Sequence, residues 1–139
     1  MTFMFIYNQV KNASRSRMLV DKASATVTTA GQVLAAVVTT GLAIPATSTT
    51  TRSEVLGVAT EAISAADALT QAGVWETFGQ DTFIADTTNN SNAAHNYQFM
   101  VLTNSTTVNN TGTHKANGIV QQLAVYGAAA DKKIIVRFV

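Results

Sequence analysis

The chain has 139 residues, a formal net charge of +1 from nine basic and eight acidic side chains, and no cysteine. That length is one domain's worth, the charge balance offers no global field for nucleic acid or an anionic membrane, and the missing thiols exclude disulfide frameworks, thiolate catalysis and cysteine-based metal sites. Charge is nonetheless placed unevenly, with Lys11, Arg15, Arg17 and Lys22 against Asp21 in residues 1–22. We therefore expect an N-terminal arm, 1–22, on a single β-rich body, 23–139.

The arm begins "MTFMFIY", with Phe3, Phe5, Ile6 and Tyr7, and places Lys11, Arg15 and Arg17 after them. A secretory signal has its basic residues first and a longer apolar core behind them, so no cleavable export signal is expected. A disordered tail rarely carries three aromatics in its first seven positions. Aromatic anchors followed by arginine and lysine read as a docking arm that fills apolar hollows and meets acidic surface.

From Ala23 to Thr50 there is no charged residue. A membrane span needs about 20 predominantly apolar residues, whereas half of Gly31–Thr50 is Thr, Ser, Gly, Gln or Pro. Gly41 and Pro45 break a soluble helix, and threonine prefers strands. The expected division is a strand at Ala25–Thr28, a turn at Ala30–Gly31, a strand at Val33–Thr39, a turn at Thr40–Gly41 and a short strand at Leu42–Ile44. Pro45 ends that strand or holds it at a sheet edge. The run reads as a threonine-coated β-surface, buried on one side.

"EVLGVA", Glu54–Ala59, reads as a strand, and local propensity predicts a helix at Glu61–Gln71 with Thr60 as N-cap and Gly73 as C-cap. "VWETFGQDTFIAD" alternates as a strand pair, with Gly79 where a turn or bulge belongs. Trp75, the only tryptophan, and Phe78 suit a core or a subunit interface. Thr87–Asn96 is a loop by composition. Strands follow at Tyr97–Thr103, Ile119–Gly127 and Ile134–Val139, separated by the polar, turn-rich 104–118 and a turn near Ala128–Lys133. In the last strand Ile134, Val136 and Phe138 alternate with Ile135, Arg137 and Val139. Many short strands bounded by Gly, Asn and Thr predict a mainly β fold, a small antiparallel barrel or sandwich.

Motifs for chemistry are missing. His95 and His114 lie far apart without metal-pair spacing, the carboxylates are scattered singly, and the nucleophile-elbow, P-loop and dinucleotide signatures are absent. No catalytic, cofactor or metal residues are assigned, and no enzyme activity is expected. The Asn-x-Ser/Thr triplets at Asn12, Asn89, Asn104 and Asn109 are what chance supplies in so Asn- and Thr-rich a chain.

Three pieces in order, "TVTTAGQVL" (Thr26–Leu34), "EVLGVATEAI" (Glu54–Ile63) and "LTNSTTVNNTGTHKANGIVQQLAVYGAAADKKIIVRFV" (Leu102–Val139), resemble the decoration, or cement, proteins of tailed double-stranded DNA phage heads. The resemblance covers most of the chain from about Ala23. It implies a small β-rich homotrimer on the outer surface of the virion, made in the bacterial cytoplasm, that binds the major capsid protein and needs no cofactor, nucleic acid or membrane. It also implies strand and turn after "GVA", against the local helix at Glu61–Gln71. Another virion part, such as a head fibre base or tail component, shares this composition. A carbohydrate-binding sandwich using Trp75, Tyr97 or Tyr126 as stacking platforms is the reading from a different class.

Overall fold

The computed structural model describes residues 3–8, 17–21, 29–40, 42–62, 71–75, 81–111 and 114–139. Its strands are β1 (Met4–Asn8), β2 (Arg17–Asp21), β3 (Val33–Ala36), β4 (Ala43–Pro45), β5 (Val55–Ala59), β6 (Gln71–Trp75), β7 (Asp81–Thr87), β8 (Phe99–Asn104), β9 (Thr107–Asn109), β10 (Val120–Val125) and β11 (Lys133–Phe138). Single 3-10 turns occur at Arg52–Glu54, Ala93–His95 and Ala129–Asp131. The fold is mainly β, as the strand-and-turn pattern predicts.

Five strands close a barrel in the order β7-β11-β10-β8-β9, and β9 returns to β7 as a parallel pair through Asp86↔Thr107 and Thr87↔Val108. All other pairings in the ring are antiparallel. Closure leaves no open edge where the ring is complete. β11 alternates as its sequence requires, with Ile134, Val136 and Phe138 buried. Phe138 meets the edge of Phe83 at 5.5 Å and 88°, a favoured aromatic geometry.

The second sheet is antiparallel and, among the described residues, open, in the order β2-β6-β5-β3-β4. Val33, Ala35, Ala46 and Val58 from this side join Phe83, Leu102, Ile134, Val136 and Phe138 in one core, with Ile44, Val55 and Trp75 packed against it. In the charge-free run, Val33, Leu34, Ala35, Ala43 and Ala46 are buried while Thr39, Thr40 and Thr47 to Thr49 are exposed. Gly31 turns at φ 90, the left-handed geometry expected of the Ala30–Gly31 turn. β3 ends at Ala36, earlier than Thr39, because the chain turns back with Val37 N donating to Leu42 O and Thr40 N to Val37 O. The strand expected at Ala25–Thr28 lies outside the described residues.

Several expectations are corrected. Glu61 lies in a bend, Gln71 opens β6, and Gly73 sits mid-strand opposite Leu19 rather than capping a helix. The reason at this end is tertiary: β6 pairs with β5 through Val58↔Trp75 and Ala59↔Val74 and with β2 along its whole length, a ladder that takes Gln71 and Gly73 into a strand. Residues 63–70 lie outside the described residues. The strands expected as a pair in "VWETFGQDTFIAD" are β6 and β7, but they belong to different sheets, since β6 bonds β2 and β5 while β7 bonds β1, β9 and β11. β9 arises in a segment read as polar turn.

At the N-terminus, β1 pairs with β7 from Met4↔Ile84 to Asn8↔Asp81. Phe3, expected to anchor a partner, is 2% exposed and packs on Phe138 at 5.4 Å. Its amide donates to Gly31 O at 2.8 Å. An aromatic ring gains more from a ready apolar socket in its own chain than from water, so the first residues of the arm belong to the body.

Candidate functional site

The most developed surface feature lies where the two sheets are clamped together. After β4 the chain makes a compact hydroxyl-bonded turn, in which Thr47 N donates to Thr50 Oγ1 at 2.9 Å and Thr50 N to Thr47 O at 3.2 Å. Thr51 N then donates to Glu54 Oε2 at 2.8 Å, so the acidic side chain satisfies an orphan amide at the start of the 3-10 turn. The turn aims Arg52 at the segment 114–118.

Arg52 Nε donates to Gly118 O at 2.7 Å and Nη2 to Ala116 O at 3.1 Å. Its guanidinium lies 5.1 Å from the Phe99 ring centroid, an attractive placement over a π-face. His114 packs on the same ring at 4.7 Å, and its Nδ1 accepts from Phe99 N at 3.1 Å. Gly118 is obligatory here: a Cβ would come within 2.5 Å of Met100 N and 2.7 Å of Phe99 C.

Between the two walls runs an open cleft of about 380 Å³ lined by Ser48 to Ser53, Ala116 and Asn117. Its lining is hydroxyl, methyl and carboxamide, with Arg52 committed to two carbonyls. A second, more polar hollow of about 440 Å³ lies at the barrel end, lined by Asp86, Thr87, Thr107, Asp131, Lys132 and Lys133. There Lys133 Nζ and Asp86 Oδ1 pair at 2.7 Å. Among the described residues no group of three or more His, Asp or Glu side chains is placed to hold a metal ion.

The sequence-nominated residues are not gathered at one place. Phe3 is in the core. Phe5, Ile6 and Tyr7 form β1, and Arg17 opens β2 in register with Trp75. Trp75 is half-buried and packs against the core. Lys11, Arg15 and Phe78 lie outside the described residues. His95 sits in the 3-10 turn after Asn92, whose Oδ1 accepts from Ala94 N. Tyr97 and Tyr126 are exposed.

Tyr97 has φ 69, a backbone region uncommon outside glycine. Two glutamines of β10 hold it there. Gln121 Nε2 donates to Tyr97 O at 2.9 Å, and fully buried Gln122 donates to Asn92 O at 2.9 Å and Asn96 Oδ1 at 2.8 Å. Sequence reading missed these glutamines and Arg52. The only local signal was "QQ" inside an apolar strand. Comparison with known protein families, curated proteins and solved structures finds no match to this chain.

Proposed function

We propose that this protein is a structural component of a phage head, a decoration protein that binds the outer face of the mature capsid and ties neighbouring major capsid proteins together. The observation that carries the reading is the convergence of the three resembling pieces. Gly31 N donates to Ala59 O and Ala59 N to Gln32 O, both at 2.8 Å, while Val33 N donates to Ser105 O at 2.7 Å. Gln32 Nε2 adds a bond to Ser105 Oγ at 2.9 Å. Segments far apart in sequence thus meet at one junction, as parts of a single architecture would.

Two further features support it. Strands β3, β4 and β5 contain no charged residue, so covering these three strands on a lattice costs little desolvation. Among the described residues β2 and β4 are the outer strands of the second sheet, edges which an assembly would cover. In this reading the chain is a homotrimer that performs no chemistry. Lys11, Arg15 and Arg17 meet acidic capsid surface, and bound copies stabilise the mature lattice by RT ln(1 + [L]/Kd), about 4 kcal/mol at a thousandfold excess over Kd.

The test is co-sedimentation of the purified chain with expanded, undecorated capsids of the phage that encodes it. Saturable binding with a higher capsid melting temperature is expected, and light scattering should give the mass of three chains. Absence of binding, or a monomer at micromolar concentration, overturns the reading. A second reading rests on Tyr97, exposed and held in left-handed geometry by buried glutamines. Strained, exposed aromatics mark binding sites, and a polysaccharide pull-down that fails with Tyr97→Ala would favour a carbohydrate-binding module.

A further inference from the structure

The fold forces a chemically labile dipeptide onto the clamp between the two sheets. Gly118 cannot carry a side chain, because a Cβ would collide with the backbone of β8. The residue before it is Asn117, exposed and lining the cleft. Among the described residues its carboxamide has no hydrogen-bond partner. An asparagine followed by glycine is the arrangement most prone to succinimide formation, since no Cβ shields the attacking nitrogen.

The chemistry needs no cofactor. The Gly118 main-chain nitrogen attacks Asn117 Cγ, a C–N bond forms, the nitrogen gives up its proton, and the side-chain amide leaves as ammonia. Water then opens the five-membered imide at either carbonyl. One opening leaves an ordinary aspartyl residue in place of the asparagine, and the other leaves an isoaspartyl linkage with an extra methylene in the main chain. Either product adds a carboxylate to the cleft beside Arg52.

Reaching the ring requires rotation about the Asn117 Cα–C bond, which swings the Gly118 nitrogen toward Cγ. The structure resists that rotation at three points. Gly118 N–H is turned inward to Lys115 O at 2.9 Å. Arg52 grips the carbonyls on either side of Asn117's own, Ala116 O at 3.1 Å and Gly118 O at 2.7 Å. Hydrogen bonds from an ionised donor are about twice as strong as neutral ones, and the guanidinium is itself steadied over Phe99.

We propose that Asn117–Gly118 is a deamidation site whose rate is set by the Arg52 clamp. With the clamp closed the asparagine persists; when it opens, conversion follows and cannot be reversed by reclosing. The isoaspartyl form lengthens the chain at the segment Arg52 holds, so conversion weakens the link between the open sheet and the barrel. The device is a one-way record of how long the clamp has been open.

The experiment incubates the full chain, Arg52→Ala, Arg52→Lys and Asn117→Gln under folded conditions at neutral pH, beside a free peptide of residues 112–122. Intact mass, ammonia release and peptide mapping follow conversion. The peptide should react fastest and the intact chain slowest. Arg52→Ala should convert about tenfold faster than the intact chain, equivalent to about 1.4 kcal/mol of barrier, and Asn117→Gln should show no conversion at this position. Arg52→Lys keeps the charge but cannot bond both carbonyls as a fork, so it too should be faster, and it decides the matter if the alanine variant does not fold. Conversion of the intact chain at the peptide's rate overturns the proposal, as does a folded Arg52 variant that converts no faster than the intact chain.

Discussion

The ring β7-β11-β10-β8-β9 closes on itself, whereas β2-β6-β5-β3-β4 ends in two edges. The ring and the segment entering β10 supply Phe83, Leu102, Ile119 and Ile134 among the largest fully buried side chains; the open sheet supplies Leu34 and several valines. Closure lets a strand satisfy its backbone on both sides and bury a bulky inward face. An open sheet must guard its edges instead. β4 does so by brevity and by Pro45, which offers no amide to an incoming strand. The open sheet also packs by close backbone approach: a Cβ on Gly57 would come within 2.4 Å of Trp75 O.

If stability resides in the closed ring, the largest effect should come from breaking it. A chain stopping at Lys133 loses β11, the partner of both β7 and β10, together with Ile134, Val136 and Phe138. We expect no cooperative thermal transition. A transition within a few degrees of the full-length chain would show that the open sheet folds without the ring.

Phe3→Ala tests whether the N-terminal strand shares that core. Emptying an aromatic site that is 2% exposed should cost about 3 kcal/mol in urea denaturation, and a chain beginning at Met18 should lose at least as much. A change below about 0.5 kcal/mol would return the whole arm to a purely external role.

Gly57→Ala sharpens the contrast from the other side. The nearest obstacle is backbone, which cannot swing aside, so a cost of about 2 kcal/mol is expected. A neutral result would mean that β5 and β6 separate freely, and that the open sheet is softer than its pairing implies.

Smallest is Lys133→Met. The Lys133–Asp86 pair is about one-fifth exposed at each side chain, and removing it should cost less than about 1 kcal/mol, diminishing as salt is added. A larger, salt-independent loss would make the pair part of the barrel's closure, beside the β7–β9 join.

The strands around "FMVLT", "IVQQLAV" and "IIVRF" were legible because short apolar stretches stand between clear turn boundaries, and in the last of them the buried residues also alternate. So was the edge position of Pro45, which follows from proline's missing donor. The C-terminal end of the expected helix was illegible, because nothing near Gln71 reports the β5 and β2 partners that Gln71–Trp75 finds. β9 was illegible for a similar reason. "TVN" carries too little hydrophobic pattern to stand out, yet it closes the barrel by pairing with both β7 and β8.

The site divides in the same way. That the uncharged run yields the strands Val33–Ala36 and Ala43–Pro45, and that no familiar catalytic motif is present in the sequence, can be read from composition and spacing alone. Arg52 was invisible as anything but a lone basic residue, because its partners are main-chain carbonyls more than sixty positions away, at Ala116 and Gly118. Local chemistry determines which segments extend and which turn, since those preferences act within a few residues. Which strands pair, whether Phe3 faces a partner or its own core, and what Arg52 holds were decided only by the fold, because each depends on contacts between residues that the chain brings together from far apart.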